Sequence, residues 1–161
     1  MVAANLRQEA SRRGVDGGRL IFADRMDSLP EHLARFRAAD LFLDTFPYNA
    51  HATALDALWA GVPVLTYPGE SFASRVAASL VRTVGLPELI AGSPTQYEET
   101  AVELAADPVR LGQLRRKLAL RDTSLFDTEH YTRKLEAAYE SIYERHHSGS
   151  SPAHINEHLA T

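Results

Sequence analysis

The chain has 161 residues, 45% of them apolar and 24% charged, with a net charge of −4 and no cysteine. That is enough chain for one domain with a real core. The acidic balance gives no overall field to draw nucleic acid or an anionic membrane, and the missing thiols exclude disulfides, thiolate nucleophiles and cysteine-based zinc sites. No apolar run nears the roughly 18 residues of a membrane helix, and the first five residues lack the charged-then-apolar layout of a signal peptide. The expectation is a cytoplasmic protein with neither membrane nor nucleic-acid partner.

Residues 5–13 read as a surface helix closed by Gly14. Residues 19–23, RLIFA, read as a short buried strand. After a turn at 24–27, Ser28 and Glu31 form a capping-box pattern, with Pro30 in the first turn. That helix runs to Ala39. Residues 40–44, DLFLD, form a second strand, apolar in the middle and acidic at both ends. A loop follows, and a helix begins at His51-Ala52-Thr53. Leu55, Leu58 and Trp59 are spaced for its core stripe. Gly61 stops it, and 63–66 is a third strand.

Ser71 is placed to cap a helix carrying Phe72, Val76 and Leu80 on one face and ending near Gly85. So far helix and strand alternate with short connections, the signature of a parallel sheet with crossover helices. Beyond Gly85 the pattern turns helical. There is a short turn at 86–91, then cap-plus-proline starts at Ser93-Pro94 and Asp107-Pro108. Asp127 caps a last long helix with Tyr131, Leu135, Ala138 and Ile142 on one stripe. This organisation spans residues 1–145. From His146 the sequence is polar and reads as a disordered tail to residue 161, with room for a transient turn at 154–159. Three strands are few for a doubly wound sheet, and the chain opens on a helix, so the sheet is expected to be incomplete on its N-terminal side.

His51 and Thr53 admit two readings. They are a loop histidine and an N-cap threonine that merely start a helix, or they join free backbone N–H groups in an anion site. The loop follows a strand's carboxyl end, where open α/β sheets bind ligands. Asp56 is either a solvated carboxylate favoured by the helix dipole or an acceptor for a ribose diol beside a phosphate. His32 and Arg35 share a helix face, as many surface pairs do. Arg75 reads as a candidate buried ion-pair partner, for Glu70. Trp59 reads as core. The remaining histidines show no metal-site spacing, and no phosphate-loop, dinucleotide, zinc-protease or hydrolase-elbow motif is present.

The stretch DLFLDTFPYNAHATALDALWAGVPVLTYPGESFASRVAASLV resembles the C-terminal catalytic lobe of protein O-GlcNAc transferases, including the SPINDLY-like and bacterial members. The similarity extends from about residue 5 to 145 and includes the LFDT turn at 125–128. The resemblance implies an α/β, Rossmann-like GT-B C-terminal lobe followed by C-terminal helices. It implies an inverting, metal-independent, cofactor-free glycosyltransferase that moves a sugar, UDP-GlcNAc by preference, to Ser or Thr hydroxyls of a protein acceptor. A GDP-fucose-using relative and a non-catalytic nucleotide-binding or interaction module are the alternatives.

By the same resemblance the family's His-Thr-Thr phosphate contact falls on His51-Ala52-Thr53, its ribose aspartate on Asp56, and its uracil-side contacts on Met26 to Ser28 and on His32 to Arg35. Ala52 replaces a threonine, at a cost of about 1 kcal/mol for one lost neutral hydrogen bond. The lysine expected in the uracil-side loop is absent. The resemblance places the other lobe, its diphosphate-binding lysine and its tetratricopeptide repeats upstream of residue 1. The chain alone is therefore expected to be inactive, and no general base is identified in it.

Overall fold

The computed structural model describes residues 2–120 and 123–153. Seven α-helices and two strands follow in order: α1 Val2–Arg12, α2 Leu29–Phe36, β1 Phe42–Leu43, α3 Ala52–Trp59, β2 Val64–Leu65, α4 Val76–Thr83, α5 Pro94–Ala106, α6 Pro108–Ala119 and α7 Thr128–His147. β1 and β2 pair in parallel, Phe42 opposite Val64 and Leu43 opposite Leu65. Thr66 adds an isolated parallel bridge to Ile90.

Local chemistry sets the element boundaries. The Ser28 hydroxyl accepts the Glu31 N–H and donates to the Glu31 carboxylate, so both bonds between the two capping-box residues at the head of α2 run through that hydroxyl. Ser93, Asp107 and Asp127 accept the N–H three residues on at α5, α6 and α7. Gly61, with φ +84°, ends α3 in the left-handed conformation that glycine adopts without penalty. The helix boundary at residues 146–147 falls later than the polar composition suggests, because the last turn of α7 includes His146 and His147. The turn expected at 154–159 lies outside the described residues.

The core lies between the sheet, α3, α4 and the α5–α6 pair. Leu58, Val62, Val64, Leu65, Val81, Leu86, Leu104 and Leu118 are all fully buried. Such close-packed apolar residues supply most of the folding free energy.

Several expectations are corrected here. Residues 19–23 form no strand: a 3₁₀ turn, Gly17–Arg19, is followed by irregular backbone. Ile21 is 90% exposed. A strand needs a neighbour for its ladder, and among the described residues none lies beside this segment. The sheet accordingly has two strands instead of three.

Trp59 is not core but 54% exposed, its ring set edge-on to Phe126. The buried face of α3 is Ala54, Ala57 and Leu58. At about 100° per residue, Trp59 falls beyond Leu55, toward the side of the helix opposite that face. Phe72 is likewise exposed, because a 3₁₀ turn, Phe72–Ser74, precedes α4 and breaks the helical phase. α4 buries Ala77, Ala78 and Val81 instead, with Val76 and Leu80 half-buried. Arg75 is exposed and forms no ion pair with Glu70. The apolar stripe of α7 is present, yet no residue of that helix is buried.

Candidate functional site

α3 begins where the loop 45–50 returns from the end of β1. The cap position belongs to His51, not Thr53, and the His51 side chain makes no capping bond. Ala52 and Thr53 are the first two residues of the helix, and both are exposed. Their N–H groups, by position, have no acceptor within the helix. A helix start with its imidazole uncommitted to capping offers N–H donors, a hydroxyl and a positive dipole end at one place.

The His51 ring is held by its surroundings. Tyr48 stacks on it at 5.2 Å and 18° between planes, and Phe72 meets it edge-on at 5.8 Å. Its Nε2 lies 3.4 Å from the Ala73 carbonyl oxygen. The same carbonyl accepts the Asn49 N–H at 2.9 Å. The turn 72–74 thus backs the loop that carries His51.

On the other flank α2 and α3 run side by side. His32 Nε2 lies 3.1 Å from Asp56 Oδ2, with both side chains about three-quarters to two-thirds buried. The His32 and Phe36 rings meet in a T-shaped contact. The remaining Asp56 oxygen has no protein donor among the described residues, as a ribose acceptor would require. Arg35 does not join this pair. Its Nη1 donates to the Asp24 carbonyl at 2.9 Å and fixes the turn that carries Met26, an exposed side chain. Ser28 is committed to capping α2. The structure therefore brings His32 to Asp56, and places His51, Ala52 and Thr53 at the head of the same helix as Asp56. Met26, Ser28 and Arg35 sit around the loop before α2.

Sequence reasoning passed over Asp44. It is 7% exposed, and its carboxylate accepts three hydrogen bonds. Oδ1 takes the Thr45 N–H at 2.8 Å and the Ala50 N–H at 2.7 Å, while Oδ2 takes the Thr66 hydroxyl at 2.7 Å. Its own carbonyl accepts the Tyr97 hydroxyl at 2.8 Å. Burial, with the Asp44 charge added, pushes the Tyr97 phenol up to about 12. The signal was there in DLFLD: an acid ending an apolar strand, where it must be buried or turn away. Among the described residues no three histidine, aspartate or glutamate side chains are grouped to hold a metal ion, and no helix is long and apolar enough to cross a membrane.

Comparison with known proteins gives this arrangement its context. The chain is 36% identical over 159 residues to a UDP-N-acetylglucosamine–peptide N-acetylglucosaminyltransferase of Caenorhabditis elegans, covering 98% of this chain and 14% of that protein. It is 42% identical over 152 residues to the probable enzyme of that name, SEC, of Arabidopsis thaliana, covering 92% of this chain and 16% of the relative. The chain thus spans about one-seventh to one-sixth of these curated relatives' length. A solved structure of a mutant O-GlcNAc transferase from Thermobaculum terrenum superposes with a TM-score of 0.80 at 35% identity, over 88% of this chain and 27% of that one. The mixed α/β fold is that of the Rossmann-like GT-B lobe. The profile of glycosyl transferase family 41 matches residues 2–135, and with the fold and the relatives in agreement, the chain belongs to that family.

Proposed function

We propose that this chain is the donor-binding part of an inverting protein O-glycosyltransferase that uses a UDP-sugar, UDP-GlcNAc by the names of its relatives, and acts on Ser or Thr hydroxyls. In this reading the diphosphate lies at the head of α3. The acceptor hydroxyl attacks the anomeric carbon, the bond from that carbon to the diphosphate oxygen breaks, and UDP leaves with added negative charge. His51, the Thr53 hydroxyl and the first-turn N–H groups receive that charge as preset donors, with no metal needed for it. Asp56 holds the ribose through its free oxygen. His32, oriented by Asp56, lies on the base side with Arg35, Met26 and Ser28.

The observation that carries the reading is the head of α3, where the cap histidine caps nothing and stands beside Ala52 and Thr53, exposed residues whose N–H groups have no acceptor within the helix. The names and overlap of the relatives support the reaction class. Acceptor recognition and turnover are assigned to parts of the relatives that this chain does not overlap. Titration with UDP tests the binding step: His51→Ala is expected to weaken affinity about tenfold, the loss of one charge-assisted hydrogen bond. Equal affinity in the two proteins would remove the phosphate site from this helix.

A further inference from the structure

We propose that Asp44 is the positioning residue of the diphosphate site. The inference rests on the reading of His51 as a diphosphate contact. A loop of six residues, 45–50, must leave the end of β1 and return His51 to the head of α3. Both ends of that loop are held by one atom, since Oδ1 of Asp44 accepts the N–H of Thr45 and the N–H of Ala50. The other oxygen is fixed by the hydroxyl of Thr66, a fully buried residue just past β2. The carboxylate is therefore anchored in the sheet and cannot swing with the loop.

Two further bonds close the loop internally: the Thr45 hydroxyl donates to the Tyr48 carbonyl at 2.6 Å, and Asn49 Nδ2 donates to the Thr45 carbonyl at 2.8 Å. Tyr48, whose ring stacks on His51, belongs to the same closed unit. Asp44 makes no ion pair among the described residues, so its buried carboxylate is satisfied by these donors alone. A buried acceptor of this kind is costly unless each bond is made. Asp44 thereby ties the rotation of the His51 ring, and the direction of the first-turn N–H groups, to the sheet.

The roles of the two oxygens make the proposal testable. Because both backbone donors use Oδ1, an asparagine can keep them on its single carbonyl oxygen, and the Thr66 hydroxyl can turn to accept its amide. An alanine keeps nothing. The 161-residue chain is titrated with UDP and with uridine, and the ratio of the two affinities isolates the diphosphate contribution. Asp44→Ala is expected to keep uridine affinity and lower the ratio about tenfold, whereas Asp44→Asn restores it to within about threefold of wild type. A structural defect alone would weaken both ligands together and leave the ratio unchanged.

An unchanged ratio in Asp44→Ala overturns the proposal. If Asp44→Ala does not fold, Thr66→Val decides. It frees Oδ2, and a ratio equal to wild type in that variant also overturns the proposal. His51→Ala separates the two layers. A ratio insensitive to His51 sinks the diphosphate reading itself, while a ratio that depends on His51 and not on Asp44 sinks only the positioning role.

Discussion

Tyr97 shows how a single side chain can report on the site from behind. Its hydroxyl donates to the Asp44 carbonyl, and its phenol is pushed up to about 12 by burial and by the Asp44 charge. The unfolded chain releases that proton near the ordinary tyrosine value, about 10. The folded chain holds it longer, so between about pH 10 and 12 the native state binds more protons and stability falls as pH rises. Below that window the contribution is fully present. Tyr97→Phe is therefore expected to flatten the alkaline loss of stability, read by urea unfolding at stepped pH. An alkaline limb identical to wild type would assign that loss to other groups. At neutral pH the same variant loses one hydrogen bond, about 1 kcal/mol.

At the scale of elements, the turn 69–74 supports the candidate site because the Ala73 carbonyl faces both Asn49 and His51. Gly69 is where that turn is tightest. A Cβ there would meet Ser74 Oγ at 2.6 Å, Ser74 Cβ at 3.0 Å and the Phe46 ring at 3.1 Å. Ser74 is itself buried, so it has little room to give. Gly69→Ala is expected to destabilise the fold by about 1–3 kcal/mol, as overpacking does. Denaturant midpoints measure the loss, and a midpoint unchanged from wild type would show that the turn yields freely. Sequence reasoning read the caps of α2, α5, α6 and α7 because each depends on three or four adjacent residues. The helix at His51 has no side-chain cap and was legible instead from apolar residues at helical spacing and the glycine that stops it, Gly61. The buried faces of α3 and α4 were legible only in part: Leu58 is fully buried as expected, while Trp59 and Phe72 are exposed. Large side chains were assigned inward at helical spacing, whereas the tight packing uses Ala54, Ala57, Ala77 and Ala78. Asp44 stayed hidden because its partners, Ala50, Thr66 and Tyr97, are joined to it only by the tertiary fold.

At the scale of the whole molecule, β1 has no second neighbouring strand among the described residues. The N–H groups of Phe42 and Asp44 donate to the carbonyls of Pro63 and Leu65, which turns the intervening Leu43 N–H to the opposite side. The Leu43 side chain is exposed as well. Hydrogen exchange should therefore show protected amides at residues 42 and 44 flanking a fast one at residue 43. Protection at all three in the isolated chain would mean that a further strand, from a second copy or from residues 19–23, covers that edge in solution. The strand expected at 19–23 was a sound reading of composition, but composition does not supply a neighbour. Finally, Trp59 stands at the end of α3 opposite His51, and the chain has no other tryptophan. Its indole lies half in water against Phe126. The protein thus carries an intrinsic fluorophore that labels this one helix, so a change in emission on adding nucleotide would be an optical signal from the far end of α3 without any attached dye.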